Sequence, residues 1–185
     1  MKSLVTLFTI CCVSFYNSQV IIGDAVGTAT DKTSVLLEFA NSNNKGIILP
    51  YAREKSAAAY PGAILLDASN GMAARIKYYN GKNLNVDDGW VDLSGVNANV
   101  SDALSQQPVE VVEDANAKVI IGNTNSSANG VLVLESTDKA MVLPAVTDVK
   151  DIKSPAPGMM VYVNKAGAKR LAVFNGTYWS FWRSE

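Results

Sequence analysis

The chain has no histidine, and its only two cysteines, Cys11 and Cys12, stand side by side near the N-terminus. Without imidazole there is no Ser-His-Asp triad, no histidine zinc site and no histidine general base. Cleavage beyond Cys12 would leave no thiol at all, and with it no disulfide, thiolate metal site or cysteine nucleophile. Charge of either sign is sparse. Sixteen Lys and Arg oppose 17 Asp and Glu, for a formal net charge of −1, and neither sign forms a run. Nothing in that balance attracts nucleic acid or an anionic membrane. No Gly-rich phosphate loop leads into a helix. The carboxylate pair Asp148 and Asp151 sits in a short charged segment beside prolines, with nothing to set the two across a cleft as a glycosidase needs. The expectation is a non-enzymatic protein with no cofactor and no metal.

The N-terminus has the layout of a secretory signal peptide. Lys2 supplies a short positive region, Leu4 to Phe15 is apolar, and Tyr16-Asn17-Ser18 is a polar exit. The apolar run is too short for a membrane span. A lipoprotein signal would put a small residue before the modified cysteine, whereas Ile10 precedes Cys11. Residues 1–18 are therefore expected to be removed, giving a secreted, periplasmic or outer-membrane surface protein. No later segment approaches the ~20 apolar residues of a spanning helix, so no transmembrane segment is expected in the mature chain.

What the chain does contain is a repeat. Val20-Ile21-Ile22-Gly23 returns as Val119-Ile120-Ile121-Gly122, and Val35-Leu36-Leu37-Glu38 as Leu132-Val133-Leu134-Glu135. Ile48-Leu49-Pro50 returns as Val142-Leu143-Pro144, and Pro61-Gly62 as Pro157-Gly158. Tyr79-Asn80-Gly81 followed by Trp90 returns as Phe174-Asn175-Gly176 followed by Trp179. Matches in one order fix the architecture ahead of other arguments. Residues 19–93 form the first β repeat, 94–117 a polar, acidic linker in which Val109 to Val112 has strand character, and 118–185 the second β repeat.

Both copies read as mostly β. Short runs of β-branched and aliphatic residues alternate with Gly, Pro and Asn turns. Each copy is expected to end in a three-stranded meander, and Asn175-Gly176 suggests a type I′ hairpin. Thr147 to Ser154 reads as one helical turn stopped by Pro155, and Ala52 to Ala59 has helix-forming composition. The fold class is all-β: two tandem β-rich repeats with short helical turns. Each copy has about 70 residues, near the size at which a single core is marginal, so packing of the copies or of several chains is expected.

The recognition candidates are the C-terminal aromatics Tyr178, Phe181 and Trp182. Strand alternation puts Trp179 and Phe181 on one face and Tyr178, Ser180 and Trp182 on the other. Trp179 matches Trp90 as a core residue, whereas Phe181 stands where the first copy has Asp92, which points to solvent or an interface. Exposed aromatics stack on sugars or fill a partner's pocket; packing within the core or between subunits is the competing reading. Asp87-Asp88-Gly89, with Asn83 and Asn85, resembles part of a calcium loop but lacks the closing bidentate carboxylate, and reads as a solvated turn.

The first copy runs Gln19-Val20-Ile21-Ile22-Gly23, Gly46-Ile47-Ile48-Leu49-Pro50, Pro61-Gly62, Tyr79-Asn80-Gly81 and Trp90. The second runs Ala140-Met141-Val142-Leu143-Pro144, Pro157-Gly158 and Phe174-Asn175-Gly176-Thr177-Tyr178-Trp179. These series resemble secreted and cell-surface repeat modules common in Bacteroidota, which begin near Q-V-G-I-G-T, carry a G-L-L-P strand, end in Y-Y-N-G-T-x-W and often stand ahead of fibre-like regions. The resemblance implies a secreted or surface-exposed structural, oligomeric protein. The expected function is structural or adhesive, acting through contacts with a protein partner or by self-association. The alternative is a carbohydrate-binding module that uses the C-terminal aromatics.

Overall fold

The computed structural model describes residues 19–40, 44–55, 59–81, 87–108 and 117–182. The expected signal peptide, the strand character at 109–112 and residues 56–58 fall outside these residues, as do Asn83 and Asn85; the described part of the 52–59 segment is not helical, since Ala52 ends a strand and residues 53–55 are irregular. The chain is all-β. The strands of the first copy are β1 (Val20–Ile22), β2 (Val35–Phe39), β3 (Ile47–Ile48), β4 (Tyr51–Ala52), β5 (Ile64–Asp67), β6 (Arg75–Tyr79) and β7 (Trp90–Asp92). The second copy repeats the series as β8 (Val119–Ile121), β9 (Leu132–Leu134), β10 (Ala140–Val142), β11 (Ala145–Val146), β12 (Met159–Val163), β13 (Arg170–Phe174) and β14 (Trp179–Trp182). One α-helix, α1 (Ser101–Ser105), and 3₁₀ turns at Asp87–Gly89 and Val149–Asp151 complete the described elements. The second of those turns falls inside the segment read from sequence as one helical turn.

The closing meanders are present in both copies and in equivalent register. Tyr79 lies opposite Trp90 in β6–β7, and Phe174 opposite Trp179 in β13–β14. The rings meet at 5.4 Å and 5.2 Å between centroids, both tilted, within the spacing that aromatic pairs favour. The short parallel strands β4 and β11 add to the outer edges of β5 and β12.

The copies do not fold side by side as separate units; they exchange strands. β10 of the second copy lies parallel to β2 and completes the first copy's sheet, in the order β1-β2-β10. In return, β3 of the first copy lies antiparallel to the N-terminal half of β12, with Ile47 opposite Met160 and Ile48 opposite Met159. Gly46 permits this approach, since a Cβ there would sit 2.6 Å from Met159 Cγ and 2.9 Å from Met160 O. The equivalent position in β10 is Ala140.

Strand alternation then explains two cores. Met160 and Val173 face the larger one, joining Leu49, Leu66, Ile76 and Leu93 of the first copy and Ala98, Val100 and Leu104 of the segment that follows it. On the opposite face of the same sheet, Met159, Val161, Val163 and Ala172 pack with Val146 of the neighbouring β11 and with Ile152. Both faces of β12 and of the centre of β13 are thus buried, while β14 stays partly exposed. The segment read as a linker contributes as well: Ala74 pairs with Ala98, and Val100 and Leu104 are buried.

The Asn175-Gly176 turn is not type I′. Gly176 has φ +113°, but Asn175 is not in the left-handed region. Asn175 is instead fully buried. Its side-chain oxygen accepts from the Thr177 and Tyr178 amides at 3.0 and 2.9 Å, and its Nδ2 donates to Val96 O at 2.7 Å. A side chain that bonds both its own turn and the segment between the copies determines the turn, rather than the dipeptide's own preference.

Candidate protein-contact site

Two features present backbone or apolar side chains for contact: the aromatic end of β14, and the strands that the copies exchange. Tyr178, Phe181 and Trp182 are all exposed, at 60, 43 and 46%. Tyr178 lies in the β13–β14 turn, and Phe181 and Trp182 lie on β14. They do not form one platform. The Arg170 guanidinium carbon stands 4.2 Å above the Phe181 ring centroid, within cation–π range. Arg170 Nε is buried with no hydrogen-bond partner. Trp182 Nε1 donates to Leu93 O at 2.6 Å, and Ser180 Oγ donates to Ser94 O. β14 therefore docks on the end of the first copy's meander. Of the three aromatics, Phe181 and Trp182 each have one side engaged within the chain.

The first copy has a different chemistry at the matching positions. Arg75 corresponds to Arg170, and its Nη1 is 2.5 Å from Asp92 Oδ2, where the second copy has Phe181. Asp67 and Lys77 correspond to Val163 and Ala172. Lys77 Nζ donates to Asp67 Oδ2 at 2.8 Å and also pairs with Asp87, while Lys55 Nζ lies 3.4 Å from Asp67 and pairs with Asp87. Burial alone would raise the Asp67 pKa. The Lys77 ammonium, together with the Ser69 hydroxyl and amide, outweighs it and holds the carboxyl at about 2. Asp87 is likewise lowered, its partial burial offset by Lys55 and Lys77. Asp87 and Asp88 adopt left-handed φ of 62° and 50°, so the acidic loop is folded around two lysines.

Glu38 on β2 is a second buried charge. It accepts from the Thr28 and Ala29 amides, both at 2.9 Å, and pairs with Lys32. Burial pushes its pKa up; Lys32 and the two amides overcome that and leave it below the usual carboxylate value. Gly27, at φ +71°, makes the loop possible, because a Cβ there would lie 2.3 Å from Glu38 Cδ. This arrangement organises the loop between β1 and β2 and leaves Glu38 no capacity for a ligand.

The strand exchange was not among the residues singled out from sequence. Its signal was present in Ile48-Leu49-Pro50 and Val142-Leu143-Pro144, each a short aliphatic run stopped by proline, but periodicity does not say which sheet such a run joins. Among the described residues, no helix is long and apolar enough to cross a membrane. No curated protein and no solved structure matches the chain. Residues 120–184, from within β8 to just beyond β14, match the family model described as a phage tail like trimerisation region.

Proposed function

We propose that this is an exported structural protein that assembles into a trimer and acts through protein–protein contacts, in the manner of a surface or fibre component rather than a catalyst. The observation that carries this reading is the match of the second copy to a trimerisation region. Three physical features support it. Each copy depends on a strand from the other, so the module is built to complete its sheets with borrowed strands. Apolar side chains remain outside the cores, including Val119, Val131, Leu132 and Ile48. The N-terminal Lys2 and Leu4–Phe15 leader supports export, and the series of turn motifs that resembles Bacteroidota surface modules supports a place at the cell exterior.

The carbohydrate reading has less to stand on. Phe181 already stacks with Arg170, and the Trp182 indole N–H is bonded to Leu93 O, so two of the three candidate rings are engaged within the chain. Fractionation of expressing cells followed by light scattering on the purified protein tests the proposal. The expected result is protein in the exported fraction, with a molar mass three times that of the processed chain. A monomer at all concentrations would sink the structural-assembly reading, and retention in the cytoplasm would sink its export half.

A further inference from the structure

The two copies are not equally complete, and the difference identifies an interface. In the first copy, β2 has a strand on each side, β1 and β10. In the second, the matching strand β9 pairs only with β8. Val119 N–H donates to Val131 O, and Glu135 N–H donates to Ile121 O. By alternation, the Leu132 and Leu134 amides point away from β8, toward an edge with no strand partner among the described residues. That edge, Val131-Leu132-Val133-Leu134, has no charge, proline or bulge of the kind that protects free edges, and Val131 and Leu132 are 61 and 48% exposed. The donor is incomplete in the same way. β10 pairs with a β2-type strand but not with a meander strand, whereas β3 pairs with the meander strand β12 but not with a β2-type strand.

We infer that β9 of one chain accepts β3 of a second copy of the same chain, in parallel, repeating between chains the contact that β10 makes with β2 within one chain. The register follows from the pairs already present. Met141 lies opposite Leu37, and Ile47 is the counterpart of Met141. Val20 opposite Leu37 and Val119 opposite Leu132 put Leu132 in Leu37's place in the sheet, two residues before its repeat counterpart Leu134, because β8–β9 and β1–β2 pair in registers that differ by two residues. Ile47 of one chain therefore lies beside Leu132 of the next. The same step carries β10 of the accepting chain to the N-terminal half of the donor's β5, at Ala63 and Ile64, the counterparts of Met159 and Met160. The contact is head-to-tail, so it either closes a ring or extends without limit, and the trimeric reading on which this inference rests selects the three-membered ring. Recognition is strand addition: backbone hydrogen bonds join the edges, and apolar side chains on alternate positions set the register.

The test uses the full chain with Cys11→Ser and Cys12→Ser, in two forms. One carries Ile47→Cys and the other, affinity-tagged, carries Leu132→Cys. Each then has a single thiol, so the two thiols can be joined only between chains. The expected result is that the mixed disulfide is the main product of oxidising the refolded mixture. A second variant, Leu132→Pro, removes an outward amide without touching the β8 pairing. It should weaken assembly at least tenfold by light scattering, with circular dichroism and the melting curve of the dissociated chain unchanged. A trimer that yields no mixed disulfide and tolerates Leu132→Pro overturns the inference and leaves the trimeric reading standing. A monomer under all conditions overturns both.

Discussion

The two copies share a backbone plan but use the outer face of the meander in opposite ways. In the first copy that face holds Asp67, Lys77 and Arg75, with Lys55 and Asp87 closing over it. In the second it holds Val161, Val163 and Ala172, with Val146 of β11 beside them, packed with Ile152. Lys55 and Ile152 come from the same place in each copy, the segment just after β4 or β11. Where that segment brings Lys55, the face is an ion-pair network; where it brings Ile152, the face is a second core. The scaffold accepts either solution because register and turns hold the strands, whereas each charge needs its partner to be copied with it.

The largest effect should come from breaking the network on one side only. Lys77→Ala leaves the buried Asp67 with the Ser69 hydroxyl and amide and with Lys55, at 3.4 Å, as its remaining cation among the described residues. The expected loss is about 3 kcal/mol, the scale on which an unpaired buried charge destabilises. Asp67→Val/Lys77→Ala, which installs the second copy's residues, should recover most of that loss, since apolar replacement of a whole pair is close to neutral. Urea unfolding of the wild type and both variants measures this. A double variant no more stable than the single one would show that the two faces are not interchangeable.

Acid should separate the copies next. The Asp67 carboxyl titrates at about 2 in the fold, against 3.8 for the unperturbed group. A depressed carboxyl stabilises the fold above its unfolded pKa, and that contribution is lost as the pH falls from about 4 to about 2. Solvent reaches the Lys55 and Asp87 side of the network and screens it, so the loss should be about 1–2 kcal/mol. Val163 has no charge to titrate, and Asp67→Val/Lys77→Ala should flatten this part of the stability–pH curve. A double variant with the wild-type acid slope would place the slope elsewhere.

The smallest effect is expected at Phe181→Asp, which gives Arg170 the partner that Arg75 has. A cation–π contact is replaced by a partly exposed ion pair, and both are worth about 0.5–1 kcal/mol. Stability should change by less than about 1 kcal/mol and should become more sensitive to salt. Thermal melts at low and high ionic strength measure both. A much larger loss confined to the assembled protein would mean that Phe181 is covered by another chain.

Much of this comparison was legible before folding. The motifs at Val20–Gly23, Pro61–Gly62 and Tyr79–Gly81 and their counterparts located the meanders, and the pairing of Trp90 with Trp179 as packed residues followed from strand alternation. The contrast of Asp92 with Phe181 was visible too, but not Arg75 and Arg170, which make it chemically meaningful. Those arginines become partners of residues 92 and 181 only through the pairing of β6 with β7 and β13 with β14. Asn175-Gly176 does form the turn between β13 and β14, but not as type I′: the Asn175 side chain holds it and also donates to Val96 O, a contact distant in sequence.

By itself, the sequence determined an all-β chain built from a repeated series of short strands and turns, because alternation, proline stops and glycine turns are local properties. Only the tertiary structure decided which strand completes which sheet. A two-residue strand such as Ile47–Ile48 has too few hydrogen bonds to choose a partner alone. Its place is set by the edge that stands open, by the close approach Gly46 allows and by the core that Met160 shares with the first copy.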